Sequence, residues 1–559
     1  VSIYAPGKAH KLSSEYVEDF GWYVKGTDKQ IQLYDFIGGN VTLEPRFEFK
    51  PTSSYSLNCD NYIWNEDLNG WTALLDVGGK TNIIVPNVVT KSIDGEERTG
   101  NVVAVSSYTY GSRGLTHIIL PSTLICVEDL TFYEAGILKI NIPDSVTTIG
   151  DNAFKFCEKL TDITLGAKLS TIGANAFDYC RSLVNINVSE SNSNFSSDNG
   201  VLCNKQKSEI ILYPSAHTNY TFPSTVTTLG EYSFSRVRLT TLTIPNTVTH
   251  IGAYAFSESL IENIEIPNSV VSLGHSAFLN CLYLKSVVIG TGVTEIPYDA
   301  FNFCNSLYSV IMNGNITTIK RGAFFVCSRL TSITLPESLN NVDDKAFSGC
   351  SALVEIINNS SLDIQEGADS YGEIAKYAIS VISGAEANSY VSKVQKIDNV
   401  WYYIDEANNL FVSVCSEKNA SSINIDSRCT KINYRTVLDG FQLRNLTIGK
   451  NVSVIGYNAF VQCDQITDII IPKSIIAIEK GAFGFPELRK VYYEGNMEEW
   501  DTIDISHEGY TLTINGRQQF IDGNEALNEA TLYFYSETQP TESGNFWHYD
   551  TDGVTPAEW

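Results

Sequence analysis

Short segments of alternating apolar and polar residues recur through most of the chain. Segments such as LTDITLG at 160–166 and LKSVVIG at 284–290 follow this pattern. A period of two is that of a β-strand buried on one face. Pro or Gly ends each segment, and a second apolar pair follows, as in V-x-x-IG. The pattern therefore predicts many short strands separated by turns.

A Phe preceded by Ala, Ser or Thr marks each repeat of this pattern. Within each run the step is 22 or 23 residues, too regular for chance. One unit of this size cannot bury its own apolar face, so stacked units must bury it against each other. The spacing predicts a solenoid whose strands form a parallel sheet at about 4.8 Å per step. The marker residues are Phe132, Phe154, Phe177, Phe234, Phe256, Phe278, Phe301, Phe324, Phe347, Phe460 and Phe483.

Seven of the twelve cysteines occupy one position of the repeat, three residues after the Phe. A free Cys behaves as a small buried hydrophobic residue. In neighbouring coils the Cβ vectors would run parallel, which fits disulfide geometry poorly, so we expect a reduced structural ladder. The ladder comprises Cys157, Cys180, Cys281, Cys304, Cys327, Cys350 and Cys463. The others are Cys59, Cys126, Cys203, Cys415 and Cys429, and none forms a C-x-x-C motif.

The repeat unit resembles that of the BspA-like leucine-rich-repeat proteins. The shared pattern is IP-x-x-V-x-x-IG-x-x-AF-x-x-C-x-x-L-x-x-I-x-L, over residues 115–357 and 430–493. The segments DNGVLCNKQKSEIILYPSA and VYYEGNMEEW are also similar to this family. The resemblance implies a leucine-rich-repeat fold and no enzymatic activity. It also implies a secreted or surface-displayed adhesin or interaction protein of gut-type anaerobic bacteria.

The expected fold is mainly β: a leucine-rich-repeat solenoid of 22–23-residue repeats with its parallel sheet on one face. It is expected as two arrays with β-rich terminal caps. The stretch YGEIAKYAISVI between the arrays has helical apolar spacing. The predicted regions are 1–75, β-rich; 76–114, a capping unit; 115–357, the solenoid; 358–398, a linker with a short helix; 399–493, the second array; and 494–559, an acidic aromatic cap or module.

The charge balance excludes some classes of partner. The formal net charge is −26, which disfavours nucleic acid and anionic membrane surfaces. Residues 494–559 carry fourteen Asp or Glu and one basic residue, Arg517. No apolar run approaches the length of a membrane span. The chain begins VSIYAP, and we expect a secreted or cell-surface protein whose signal peptide has been removed.

No catalytic or metal-binding motif stands out. G-x-S-x-G, H-E-x-x-H and P-loop motifs do not occur, and the seven His are scattered. We therefore expect no enzyme, cofactor or metal, although a hydrolase in the leading region stays open as an alternative. DTDG at 550–553 resembles the start of a calcium loop but lacks its remaining ligands, so a turn is expected.

The predicted sheet offers a candidate binding surface. Each strand sends two side chains outward, and stacking aligns them into two stripes of mostly short polar residues. Apolar members of the second stripe, with serines beside them, could dock a protein or glycan ligand on host or neighbouring cells. Alternatively, they are simply good strand formers. The candidate residues are Ile119, Ser286, Val288, Ser309, Ile311, Thr334, Ile357, Ile470 and Tyr492.

A second hypothesis assigns binding to aromatic residues outside the repeats. Trp500, Tyr533, Trp547, Tyr549 and Trp559 lie in the last 66 residues, and residues 1–75 are also aromatic-rich. Aromatic rings stack on sugar rings, so the terminal regions could make this a carbohydrate-binding surface protein. The competing interpretation is that these rings fill the cores of small caps.

Overall fold

The computed structural model describes residues 61–75, 81–107, 114–408, 410–417, 419–437, 440–506 and 523–559. It also describes the backbone of the strands Val17–Val24, Gln30–Ile31, Leu43–Phe49, Tyr510–Ile514 and Arg517–Ile521. The chain divides into two compact units, Val1–Cys180 and Arg181–Trp559. Both are mainly β, and both contain coils of the predicted repeat.

Most coils contain two strands rather than the one that the sequence predicted. In one coil of the second unit, the strand Asn263–Ile266 is followed by the two-residue strand Ser272–Leu273. The next coil starts at Ser286–Ile289, which pairs in parallel with Asn263–Ile266. We call the longer strands face strands and the two-residue strands back strands. The back strand coincides with the second apolar pair of the repeat, the V-x-x-IG segment. In this coil the back-strand residue Leu273 also points into the core.

The Ala-Phe turn of each coil has an unusual backbone. Around Phe278, Ser276 and Asn280 have φ values of 54° and 58°. This left-handed region is uncommon for residues other than glycine. At Gly274, which follows Leu273 and takes the place of the glycine in the IG pair, an added Cβ would lie 2.3 Å from the backbone nitrogen of Ala253 in the preceding coil. Glycine is needed there because two coils approach closely.

The core is a stack of Phe rings flanked by the Cys ladder. The Phe278 and Phe301 ring centroids are 5.2 Å apart and the rings are nearly parallel, which matches the spacing of stacked strands. All seven ladder cysteines are buried, and every described cysteine is a free thiol. Burial raises the pKa of the Cys180 and Cys327 thiols. The expected reduced ladder is confirmed for the described cysteines; Cys59 lies outside the described residues.

The first unit begins with antiparallel strands and continues as coils. Val17–Val24 pairs with Gln30–Ile31 and Leu43–Phe49. The hairpins are Tyr62–Asn65 with Gly70–Leu74, and Val88–Ile93 with Glu96–Ser106. The face strands are Asn82–Ile84, His117–Ile119, Lys139–Asn141 and Asp162–Leu165. The back strands are Cys126–Val127, Thr148–Ile149 and Thr171–Ile172, and Cys126–Val127 pairs in parallel with Glu96–Ser106.

The second unit contains the larger array. Its face strands are Asn185–Val188, Asn263–Ile266, Ser286–Ile289, Ser309–Met312, Ser332–Leu335, Glu355–Asn358 and Ser380–Ser383. An antiparallel sheet of Phe195–Asp198, Val201–Asn204 and Glu209–Leu212 leads into the back strands. The back strands are Thr228–Leu229, His250–Ile251, Ser272–Leu273, Glu295–Ile296, Thr318–Ile319 and Asn341–Val342.

The segment 358–398 differs from the linker that the sequence predicted. Its helix is limited to Ser370–Glu373, and Tyr371 and Gly372 have left-handed backbone angles. Ser380–Ser383 forms a face strand that pairs in parallel with Glu355–Asn358. The predicted short helix is therefore present over four residues. The rest of the segment is not a linker but a further coil, whose apolar residues pack into the core of the array. A 3₁₀ helix at Gly384–Ser389 follows.

The second array begins with a hairpin and ends with the C-terminal strands. Val394–Ile397, Val400–Asp405 and Leu410–Ser416 are antiparallel, around a 3₁₀ turn at Glu406–Asn408. The back strands are Lys431–Ile432, Val454–Ile455, Ala477–Ile478 and Asp504–Ile505. The face strands are Ser422–Asn424, Asn445–Thr447, Asp468–Ile471 and Lys490–Tyr493, continued by Thr531–Tyr535, Phe546–Tyr549 and Pro556–Glu558. The helices are Met497–Trp500 and Glu525–Glu529.

Candidate binding surface

Neighbouring face strands bring five of the predicted residues together on the larger array. Ser286 and Val288 are register partners of Ser309 and Ile311. The next face strand carries Thr334. Partner residues in a parallel pair project to the same side of a sheet, while the intervening Val287 and Val310 are buried. We call Ser286, Val288, Ser309, Ile311 and Thr334 the central patch.

The central patch has an apolar centre among short polar groups. Ile311 is 49% exposed, and its partner Val288 is half-buried. The Ser286 hydroxyl donates to the side-chain oxygen of Asn263 at 2.7 Å. At the border, Lys285 pairs with Glu262 at 2.9 Å, so these two charges neutralise each other. The patch itself thus carries no charged side chain, and the exposed Glu265, the register partner of Val288, lies at its border.

The central patch ends at Glu355, the register partner of Ser332 on the following face strand. Its side chain is fully buried. The carboxylate accepts hydrogen bonds from the Tyr390 hydroxyl at 2.9 Å, the Lys393 backbone N–H at 2.8 Å and the Ser392 hydroxyl. Residues 390–393 therefore cover this strand, and Ile357 beside Glu355 is only half-buried. No local sequence pattern indicates this cover, since it comes from 35 residues further along the chain.

Ile119 lies in the other compact unit. It is the last residue of a face strand and is 46% exposed. Its register partner in that sheet is Ile84, which is 50% exposed. The first unit therefore has its own apolar pair on its sheet face. The sequence pattern indicates only Ile119 of this pair, because residues 76–114 do not follow the repeat.

The two remaining candidates lie on the second array, and one of them is not accessible. Ile470 is half-buried and is the register partner of Tyr492. Tyr492 is only 5% exposed, so the expectation that it projects into solvent is wrong. Its ring packs 5.2 Å from that of Tyr533 and 5.5 Å from that of Trp547. Burial, and the hydrogen bond to Glu558, raise the pKa of Tyr492 to about 12.

The C-terminal aromatic residues pack largely against each other. Trp547 is fully buried, and its indole N–H donates to the Tyr493 carbonyl at 2.9 Å. The ring of Tyr549 lies 4.8 Å from that of Trp547. Trp559 is 43% exposed. This arrangement favours the interpretation that most of these rings form the core of a cap, with a few left at its surface.

DTDG forms a turn, as expected. The Asp552 carboxylate accepts hydrogen bonds from the backbone N–H groups of Val554 at 2.9 Å and Thr555 at 2.8 Å. These bonds, together with one from the Thr555 hydroxyl, lower the pKa of Asp552. Within the described ranges, no three His, Cys, Asp or Glu side chains converge as a metal site.

The repeats match a known family model. Residues 97–207, 208–330, 294–392 and 409–504 match the BspA type leucine rich repeat region, in six copies. These ranges span well over half of the chain. The chain belongs to the BspA-type leucine-rich-repeat family. BspA-type proteins are typically found at the cell surface or secreted, and they are generally non-enzymatic. In the part of this BspA-type chain that is described, no helix is long and apolar enough to cross a bilayer.

Several solved structures are similar to this BspA-type chain. A leucine-rich repeat protein from Eubacterium ventriosum ATCC 27560 is 23% identical, with 53% of this chain and 87% of that one covered and a TM-score of 0.40. A leucine rich cell surface protein from Faecalibacterium prausnitzii A2-165 is 18% identical, with coverages of 79% and 95% and a TM-score of 0.22. The pneumococcal vaccine antigen PcpA is 16% identical, with coverages of 84% and 92% and a TM-score of 0.30. No curated protein sequence matches.

Proposed function

We propose that this protein is a non-catalytic, secreted or cell-surface interaction protein that binds a partner protein through the central patch. The observation that carries the proposal is the register pairing of Val288 with Ile311 on an open sheet face. Parallel sheets are usually covered on both faces, so an exposed apolar pair on such a sheet is unusual. The partner is expected on host or neighbouring cells.

The surroundings of the patch favour a protein ligand. The side chains of Ser286, Ser309 and Thr334 are short, so binding would immobilise few flexible groups. The patch side chains are uncharged and the nearby Lys285–Glu262 pair is neutral as a whole, so the one unbalanced charge at this border is that of the exposed Glu265. Solenoid proteins commonly use such extended surfaces for binding. The absence of catalytic motifs from the sequence supports a binding role rather than a chemical one.

Affinity measurements on the full chain test this function. The protein would be used to capture ligands from solubilised mucus, matrix proteins and neighbouring bacteria, and the Kd of each purified ligand would then be measured. We expect Val288→Glu combined with Ile311→Glu to weaken binding by at least about tenfold. Val271→Glu is the matched control, because Val271 is 60% exposed but precedes a back strand. Equal affinity of the double variant and the wild type for every ligand would refute the proposal.

The hypothesis that the terminal aromatic residues bind carbohydrate has little support for the rings that pack inside the C-terminal cap. Trp547, one of the candidate rings, is fully buried and cannot stack on a sugar. Residues 1–60 are outside the part whose side chains are described, so the leading region stays a prediction. A screen of the full chain against a panel of hydrolase substrates tests the remaining enzymatic alternative, and turnover would establish it.

A further inference from the structure

A groove of about 390 Å³ lies on the second array, away from the central patch. Its floor includes Asn424 and Thr447, which are register partners on adjacent face strands. Asp398 and Lys450 border it on the same array. Tyr549 and Glu494 from the C-terminal part of the chain also line it. The C-terminal part of the chain, whose strands continue the face sheet, therefore supplies one side of the groove.

The lining combines hydrogen-bond donors and acceptors that the protein leaves available. The side chains of Asp398, Asn424, Thr447 and Lys450 are exposed. No hydrogen bond or ion pair with another described residue engages the polar atoms of these four side chains. Asp426 differs, because Arg428 holds its carboxylate at 2.7 and 3.0 Å. The free groups thus include an ammonium, an amide, a hydroxyl and a carboxylate facing one volume.

The aromatic side of the groove is held rigidly. The Tyr549 hydroxyl donates to the Glu494 carboxylate, and its ring packs edge-on against the buried Trp547. Burial, and the bond to Glu494, raise the pKa of the Tyr549 hydroxyl, so it stays protonated as a donor. A fixed, half-buried ring loses little conformational freedom on binding. Tyr549 therefore contributes a rigid aromatic side chain to the lining of the groove.

The mixed lining decides between ligand classes. Asp398 and Glu494 disfavour an anion. Lys450 opposes these carboxylates, Asp426 is paired with Arg428 and Glu494 is bonded to Tyr549, so the groove does not require a cation. An apolar ligand would leave the amide of Asn424 and the hydroxyl of Thr447 without partners, which costs free energy. A ligand that is neutral, rich in hydroxyl groups and apolar on one ring face satisfies all of these groups. We propose that this groove binds a neutral saccharide, with Tyr549 stacking on a sugar ring and Asn424, Thr447 and Lys450 bonding its hydroxyls.

This proposal is independent of the protein-binding role of the central patch. The two surfaces share no residue, so each can be removed without the other. Val288→Glu with Ile311→Glu should leave saccharide binding unchanged, whereas changes in the groove should leave the protein ligand bound. Failure of one proposal can therefore be distinguished from failure of the other.

Saturation-transfer NMR on the full chain tests the proposal. The probes are the neutral tetrasaccharides maltotetraose, cellotetraose, mannotetraose and chitotetraose, with the acidic tetragalacturonate and the basic chitosan tetramer as charged comparisons. Thr447→Arg fills the floor with a long side chain. Thr243→Arg is its matched control, since Thr243 is also exposed and occupies the equivalent outward position on the larger array. Tyr549→Ala removes the ring, and Tyr549→Phe keeps it.

The proposal predicts signal from at least one neutral tetrasaccharide. Thr447→Arg and Tyr549→Ala should weaken that binding by at least about tenfold, while Thr243→Arg leaves it unchanged and Tyr549→Phe retains most of it. Thermal unfolding of each variant shows whether the fold is intact, and Tyr549→Phe keeps the test valid if Tyr549→Ala unfolds the cap. Silence of all neutral probes, binding of only a charged tetramer, or binding unaffected by Thr447→Arg would overturn the proposal.

Discussion

The Sγ of Cys304 lies 3.2 Å from the carbonyl oxygen of Phe278, one coil earlier in the stack. That oxygen also accepts the backbone N–H of Cys281 at 3.3 Å. The same thiol-to-carbonyl contact joins Cys327 to Phe301 at 3.2 Å. The repeated Cys thus fills the core and ties each coil to the one before, which explains its position without any redox or metal role.

Replacing a ladder cysteine should destabilise the protein. Cys304→Ala removes a fully buried sulfur and a hydrogen bond, and we expect the free energy of unfolding to fall by about 1–3 kcal/mol. Urea unfolding under reducing conditions measures this. Cys126→Ala is the control, because Cys126 is only half-buried and outside the ladder, and it should change stability by less than about 0.5 kcal/mol. Equal effects of the two substitutions would contradict the structural role.

Asn524 closes the open end of the second array. Its side-chain amide donates to the carbonyls of Glu479 at 2.9 Å and Ser506 at 2.8 Å, and its side-chain oxygen accepts the backbone N–H of Phe483 at 3.2 Å. Asn524→Ala would strand these buried backbone groups, so we expect a loss of about 1–3 kcal/mol. Denaturant unfolding provides the measurement. Asn451→Ala is the control, because Asn451 is exposed. An equal loss of stability in that variant would show that the hydrogen bonds of Asn524 do not stabilise the end of the array.

Arg329 joins the two arrays within the second unit. Its guanidinium is buried and donates to the backbone carbonyls of Ser416 at 2.8 Å and Asn305 at 3.2 Å. We expect Arg329→Met to cost about 1–3 kcal/mol, because it keeps much of the volume but loses the hydrogen bonds. Hydrogen exchange of residues 410–416 should become faster in this variant.

A surface arginine supplies the comparison for Arg329. Arg321 is largely exposed and lies 3.8 Å from Asp344, so Arg321→Met should leave stability and exchange nearly unchanged. Unchanged exchange in residues 410–416 of the Arg329→Met variant would show that the hairpin is held by its apolar contacts alone.

The C-terminal strand should be sensitive to acid. Hydrogen bonding from Lys490 lowers the pKa of Glu558, and the Tyr492 hydroxyl donates to the same carboxylate at 3.1 Å. Because the folded pKa is lowered, this stabilisation is complete above the ordinary Glu value of about 4.3 and is lost as pH falls through the folded value. Urea unfolding should show Glu558→Gln less stable than the wild type at about pH 7, with the difference shrinking towards about pH 3. A stability difference between Glu558→Gln and the wild type that grows as the pH falls would contradict the lowered pKa of Glu558.

The repeat could be predicted from the sequence because its information is local. Alternation at residues such as Ile163 and Leu165, and the position of Cys304 relative to Phe301, directly reflect burial. The back strands were missed because two residues are too few to show a period. Ser380–Ser383 was also missed, since four apolar or small residues fit a helix as well as a strand.

The limits of the candidate surface could not be predicted, because distant segments set them. Glu355 and Tyr492 have the correct strand register for exposure, yet both are buried. Tyr390 covers the first, and Trp547 packs against the second. Nothing near either residue in the sequence indicates these contacts. The groove beside Tyr549 escaped prediction for the same reason, since Tyr549 lies about 100 residues beyond Thr447 and Lys450 along the chain.

Site-specific photo-crosslinking tests the central claim, the use of the central patch for protein binding, most directly. A photoreactive phenylalanine analogue would replace Ile311 in one full-length protein and Val271 in another, since both side chains are highly exposed. After incubation with a captured and purified ligand, illumination should join the ligand to position 311 and not to position 271. Crosslinking at position 271 with none at 311 would contradict the claim that the open sheet face holds the partner.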